Sequence, residues 1–268
     1  MAAVPLTDIK SLRSVLSARP LGLFSDIDGT LSPIVPRPDE AKVTPRSRAL
    51  LRHLMANGVR VALITGRTLD VARSMVRIDG VAYAANHGLD FWVDGSTETE
   101  IEAGAPSEIV DRVLAEAGNL GAMGVTMEVK GVGVAFHYRR ASDEATARDA
   151  VKKLLESLGD RGLQRIEGRK VIEVRPDWRA NKGTAARRLA QRLGVRGIIC
   201  VGDDRTDIDM FKAVRLLSND GAQGCAVAVL SPEIAPDLLA AADYTVVGVE
   251  GVEWLLGELV KAVAGTSP

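Results

Sequence analysis

Short, nearly unbroken apolar runs separated by amphipathic stretches of helix length restrict the fold more than any other feature of this chain. "LGLFSDID", "VRVALITG" and "VAYAANHG" follow one another, with "TPRSRALLRHLMANG" and "TLDVARSMVR" between them. Strands apolar at consecutive positions are those covered on both faces, as in a parallel sheet flanked by helices. The first intervening stretch carries its own boundaries: Thr44 as N-cap, Pro45 at the first helical position and Gly58 past the end. Leu50, Leu51, Leu54 and Met55 share one face of it. Strand, helix, strand, helix, strand predicts an α/β fold with a parallel-sheet core.

Between Gly104 and Pro176 the rhythm changes. "PSEIVDRVLAEAG" reads as a helix, "VTMEVKG" and "GVAFHYRR" as alternating strands, "SDEATARDAVKKLLESLG" as a second helix, and "LQRIEGR" and "KVIEVRP" as two further strands. The order α-β-β-α-β-β with alternating polarity predicts a small α+β module with one wet sheet face, inserted into the core. "KGTAARRLAQRLG", "GIICVGDD", "TDIDMFKAV", "GCAVAVL", "DYTVVG" and "VEWLLGELVKAVAG" then resume the alternation. The expected division is residues 1–104 and 177–268 for the core and 105–176 for the insert.

A formal net charge of -1 leaves no global basic field to attract nucleic acid or an anionic membrane, so any phosphate recognition must be local. Charges interrupt the opening segment "MAAVPLTDIKSLRSVLSARP" every few positions, unlike a signal peptide, and no apolar run approaches the roughly 20 residues of a membrane span. Cys200 and Cys225 lie in apolar runs without CxxC spacing, which makes them expected core thiols of a reduced, cytoplasmic protein.

In open parallel sheets, ligands sit outside the carboxyl ends of the strands. Four strands here end in polar residues: Asp26 and Asp28; Thr65-Gly66-Arg67; Asn86-His87-Gly88; and Gly202-Asp203-Asp204. Together with Asp207 this edge would gather five aspartates, which must either hold protons or share a cation. Oxygen ligands without a nearby His or Cys pair suit a hard ion, and a site shared with phosphate favours Mg2+. Lys182 opens a helix against the helix dipole, as a solvated lysine or as the partner of an anion. Thr65 is either a helix cap or, with the Gly66 backbone, a binder of a phosphate oxygen.

"DIDGTL", "ITGR", Lys182 and "GDDRTD", in that order, resemble the haloacid dehalogenase (HAD) phosphohydrolases. The resemblance implies a HAD-type Rossmann-like core carrying an inserted α+β cap of the C2 type. It also implies a nucleophilic Asp26, a general acid/base Asp28, and Thr65 and Lys182 on the phosphoryl oxygens. Mg2+ would be held by Asp26, the Asp28 main-chain carbonyl and Asp203, with Asp207 in support and Asp204 nearby. Adding "ANHG", "VKGVGVAFHYR", "EVRPDWRANKG" and "SPIVPRPDEAKV", most of the chain is similar to the trehalose-6-phosphate phosphatase family. That similarity implies a Mg2+-dependent hydrolase of trehalose 6-phosphate working through an aspartyl phosphate. Gly66, Arg67, His87 and Asp204 would lie on the substrate side of the core. Glu128, Lys130, His137 and Arg139 of the cap, and Arg175 at its exit, would meet sugar or phosphate.

Plainer roles stand beside these. Glu128 and Lys130 alternate with Val129 and suit a wet strand face, His137 and Arg139 share a face by period two, and His87 suits a turn. Trp92 and Trp178 suit core packing as well as a sugar ring, and Pro33, Pro36 and Pro38 stiffen the loop after the nucleophile. One position departs from the family pattern GDDxTDE: Ile208 stands where a glutamate is expected. That keeps open another glycoside phosphate, of the glucosylglycerol phosphate or mannosyl-3-phosphoglycerate type. A receiver module would be shorter and lack a second aspartate two residues on, and a sugar-sensing pseudoenzyme would not need every catalytic position filled. No oligomeric state follows from these motifs.

Overall fold

A computed structural model describes residues 3–99, 106–130, 133–158, 163–176, 180–219 and 221–265. In chain order the strands are β1 (Val4–Pro5), β2 (Leu21–Ser25), β3 (Arg60–Ile64), β4 (Ala82–Ala85), β5 (Asp90–Val93), β6 (Ser96–Thr99), β7 (Thr126–Lys130), β8 (Gly133–His137), β9 (Leu163–Gly168), β10 (Val171–Pro176), β11 (Gly197–Gly202), β12 (Gln223–Leu230) and β13 (Tyr244–Val247). The helices are α1 (Arg13–Ser17), α2 (Pro45–Ala56), α3 (Leu69–Val76), α4 (Pro106–Glu116), α5 (Glu144–Ser157), α6 (Lys182–Leu193), α7 (Asp207–Asn219), α8 (Pro236–Ala241) and α9 (Gly248–Ala264). Two compact units result: Met1–Glu100 with Ala180–Pro268, and Ile101–Arg179.

The first unit is a sheet in the order β1-β13-β12-β11-β2-β3-β4-β5-β6, parallel from β1 to β4 and antiparallel at β5 and β6. Its central strands are apolar throughout because successive side chains enter different cores. From β2, Leu21 and Leu23 join the apolar layer beneath α2, α3 and α9, while Phe24 joins the layer beneath α6, α7 and α8. From β11, Ile199 and Val201 face the first layer, Ile198 and Cys200 the second. Both cysteines are free and buried, as their setting in the sequence suggests.

Strand order reverses between β2 and β11: the chain runs outward from β2 to β3 and β4, then returns on the other side as β11. Such a reversal opens a crevice at the carboxyl end of the sheet. The residues following β2, β3, β4 and β11 meet there. Sequence reading missed the β5–β6 hairpin, although Asp94 and Gly95, at φ 51° and 83°, form the two-residue Asp-Gly turn that favours one.

The second unit holds a four-stranded antiparallel sheet, β7-β8-β10-β9. Val134 and Phe136 of β8 and Ile172 and Val174 of β10 pack with Val113 of α4 and Val151 and Leu155 of α5. The opposite face carries Glu128 and Glu173, both registered on Ala135. No helix among the described residues is long and apolar enough to cross a membrane.

Candidate active site

The chain leaves β2 by continuing its ladder, the Asp26 N–H donating to the Val201 carbonyl at 3.0 Å, and then folds back so that the Gly29 N–H meets the Ser32 carbonyl at 2.7 Å. Gly29 takes φ +74°, and a Cβ there would lie 2.0 Å from Asp203 Oδ2, so the loop after the first aspartates lies directly against the end of β11. The Thr30 hydroxyl donates to Asp203 Oδ1 at 3.2 Å across the same junction. Thr30, which the sequence analysis passed over, thus tethers two of the acidic motifs.

Asn181 caps α6 by accepting the Gly183 and Thr184 N–H groups, and this fixes Lys182 at the helix's first position. Lys182 is only 2% exposed, so it is no solvated surface lysine. Its Nζ lies 2.8 Å from Asp26 Oδ2 and 2.7 Å from Asp207 Oδ1. Burial alone would favour neutral Lys182, but Asp207 and Asp26 outweigh it and hold the ammonium protonated. The Asp26 carboxyl is pushed up to about 7, first by burial, which prevails over Lys182 with help from Asp207 and Asp28.

Asp207 is fully buried, and its other oxygen accepts the Asp203 and Asp204 N–H groups at 3.0 Å each. This side chain braces the loop between β11 and α7 as well as the lysine. Carboxylate oxygens of Asp26, Asp203 and Asp207 come within 4.8 Å of one another. Three buried acids face one ammonium, leaving negative charge that a hard divalent cation would balance, and every donor is an oxygen. The residues present therefore fit Mg2+. Asp204 is half-buried and turns Oδ1 to the Arg205 N–H.

Thr65 is 1% exposed, with its hydroxyl oxygen accepting the Arg67 N–H at 3.1 Å. The His87 N–H donates to the Thr65 carbonyl and the Asn86 N–H to the Arg67 carbonyl, so the exits of β3 and β4 are laced together. His87 adopts φ 56° and packs on Gly66, where a Cβ would lie 2.4 Å from its Nε2. It shapes this turn and is 8% exposed. Arg67, expected on the substrate side, forks onto Asp28 and reaches the Pro38 carbonyl with its remaining nitrogen. Trp92 packs against the first apolar layer, under the Arg73 guanidinium.

In the second unit, Glu128 Oε2 and His137 Nε2 pair at 2.9 Å. Arg139 lies past the end of β8 in a turn, where it donates to the Arg169 carbonyl, so the two-residue period linking it to His137 does not reach it. Glu173, which the sequence did not single out, shares the face of Glu128 and is 7% exposed. The side chains of Lys130 and Arg175, and Trp178 altogether, fall outside the described residues.

The sequence profile described as Trehalose-phosphatase matches residues 24–245, a span containing every one of these side chains. The chain belongs to the trehalose-phosphatase family. It is 36% identical over 216 residues to a trehalose-phosphate phosphatase of Mycobacterium leprae, covering 75% of this chain and 49% of that protein. It is also 36% identical over 215 residues to a Mycobacterium tuberculosis protein described as an uncharacterized glycosyl hydrolase, covering 76% of this chain and 16% of that one. The chain thus spans about half, or much less, of these relatives' length. The solved C-terminal domain of the Candida albicans trehalose-6-phosphate phosphatase superposes with a TM-score of 0.83 at 23% identity, covering 97% of this chain and 99% of that one. The trehalose-phosphatase fold here is the HAD-type α/β core with a cap domain.

Proposed function

We propose that the protein is a Mg2+-dependent phosphatase that hydrolyses trehalose 6-phosphate to trehalose and phosphate through an aspartyl phosphate on Asp26. The observation that carries this reading is Lys182 Nζ held between Asp26 and Asp207, buried at the crevice of a trehalose-phosphatase core. A carboxylate nucleophile divides one difficult displacement into two easier ones. As Asp26 forms its bond to phosphorus, the bond to the sugar oxygen breaks and Asp28 gives that oxygen a proton. Asp28, now ionised, takes a proton from water as the water attacks the phosphoryl group and frees Asp26. Lys182 and the Thr65 hydroxyl hold the equatorial oxygens throughout.

Asp26, Asp203 and the Asp28 main-chain carbonyl would hold Mg2+, with Asp207 orienting them. When bound, the ion neutralises charge on the phosphoryl oxygens. Gly66 and His87 shape the loop carrying Thr65, and Asp204 borders the site. On the cap, contacts to the sugar are assigned to Glu128, Lys130, His137, Arg139 and Arg175, with Glu173 registered beside Glu128 on Ala135. Two free buried thiols suit a cytoplasmic setting.

The test is Mg2+-dependent phosphate release from a panel containing trehalose 6-phosphate, glucosylglycerol phosphate, mannosyl-3-phosphoglycerate and glucose 6-phosphate. Trehalose 6-phosphate should lead by at least about tenfold in kcat/KM, and Asp26→Asn should release none. Comparable rates on all four would overturn the substrate assignment, and turnover by Asp26→Asn would overturn the nucleophile.

A further inference from the structure

The core unit contains a cavity of about 510 Å³ that shares no lining residue with the aspartate cluster. It lies among the loop after Pro38, α2 and α3, and its wall includes Pro38, Asp39, Lys42, Arg48 and Arg77. Its volume falls within the range of small-molecule sites. Three cations line it, in a chain whose formal net charge is -1. The only acid lining it among the described residues, Asp39, is gripped by Arg37, with Nη2 to Oδ2 at 2.7 Å and Nε to Oδ1 at 3.3 Å.

The side chains of Lys42 and Arg48 have no hydrogen-bond or ion-pair partner among the described residues, and Arg48 is half-buried. With no protein acceptor among the described residues, the Arg48 guanidinium has its donors open to water or to a ligand. Arg77 ends α3 in the left-handed region at φ 52°, where glycine would sit without steric cost. Its Nε is held by the Ser74 carbonyl at 2.8 Å, and its own carbonyl by Arg52 Nη2 at 2.8 Å, so its guanidinium is fixed beside the cavity. Val71, Met75 and Ala41 add an apolar floor to this cationic rim.

We propose that this cavity is a second, non-catalytic binding site for a phosphorylated small molecule. The phosphate would sit among Lys42, Arg48 and Arg77, and the organic body against Val71 and Met75. Planar guanidinium forks suit phosphate oxygens, and the apolar floor gives an organic phosphate an advantage over the free ion. The site adjoins the proposed catalytic machinery through one residue: Pro38, in its wall, accepts the third bond of Arg67.

The assignment concerns binding alone, so its test does not depend on the phosphatase reading. Side-chain Nε–Hε resonances of Arg48 and Arg77, assigned by their loss in Arg48→Lys and Arg77→Lys, would be followed by NMR while glucose 6-phosphate, glucose or inorganic phosphate is added to the full chain. Both resonances should shift saturably with glucose 6-phosphate below about 10 mM and stay put with glucose. The Lys42→Ala/Arg48→Gln protein, checked for an unchanged melting temperature, should bind at least about tenfold more weakly as read at Arg77, whereas Lys182→Met should leave the shifts intact. Absence of saturable shifts, or equal binding by the double variant, would overturn the site. Inorganic phosphate binding as tightly as glucose 6-phosphate would overturn the role given to the apolar floor.

Discussion

Arg67 holds both carboxylate oxygens of Asp28, Nε to Oδ2 at 2.8 Å and Nη2 to Oδ1 at 2.7 Å, and anchors itself by Nη1 to the Pro38 carbonyl at 2.9 Å. Such a fork fixes the plane as well as the position of a carboxylate. For Asp28 to protonate a leaving oxygen it must hand one oxygen to the substrate, and Arg67 can keep the other.

Arg67 is therefore expected to act through Asp28, and the leaving group reports this. Arg67→Lys, which cannot grip two oxygens in a plane, should slow release from trehalose 6-phosphate by about 10- to 100-fold. In kcat/KM, which reports the steps up to leaving-group departure and not the shared attack of water, p-nitrophenyl phosphate, whose leaving group departs without a proton, should change by less than about threefold. Steady-state kinetics on both esters distinguish this from a structural role, because an equal loss on both would contradict it.

Lys182 separates two buried carboxylates, so removing its charge leaves Asp26 and Asp207 facing each other without compensation. Lys182→Met should destabilise the metal-free protein by about 3 kcal/mol, the usual scale for breaking a buried pair from one side. Added Mg2+ should restore part of the loss by supplying positive charge, while turnover stays at least about 10³-fold down. Urea unfolding with and without the ion measures the first effect. A variant as stable as the parent in chelator would contradict the buried triad.

The Asp26 carboxyl binds its proton more tightly folded, at about 7, than unfolded, at 3.8, because burial prevails over Lys182. The folded state then holds more protons between these values, so this group's contribution is full below the unfolded value and lost as pH rises through the folded one. Without divalent ions the melting temperature should therefore decline between about pH 4 and 7, and Asp26→Asn should flatten that decline. Mg2+ must displace the same proton, so its affinity should rise across the window and level off above about pH 8. Calorimetry in buffers of different ionisation enthalpy should detect proton release near pH 6. Release independent of pH would exclude Asp26 as its source.

The acidic edge was legible in the sequence because each aspartate follows an apolar strand, and β-α alternation alone brings such ends together. From the residues alone Lys182 was an oddity at a helix start, with its role supplied by the family resemblance, since 2% exposure is a consequence of tertiary packing. The pairing of Arg67 with Asp28 was not legible because the partner lies 39 positions away and the third bond goes to a main-chain carbonyl, which leaves no trace in residue type. The shared face expected for His137 and Arg139 does not extend to Arg139 for a local reason: period two holds only inside a strand, and β8 ends at His137. The β5–β6 hairpin had an available cue in Asp94-Gly95 between apolar residues, and was simply unread.

Ile208 raised the question of an altered substrate, and its surroundings point elsewhere. It is half-buried at the start of α7 and packs against the apolar layer that holds Phe211, Met210 and Leu189. Glutamate at this position would set a charge against that layer, so Ile208→Glu should cost about 1–2 kcal/mol in urea unfolding. The ratio of kcat/KM for trehalose 6-phosphate to that for glucosylglycerol phosphate should stay within about twofold, since a packing residue affects both substrates alike. A shift of about tenfold or more in that ratio, with stability unchanged, would move Ile208 from the core to the substrate side.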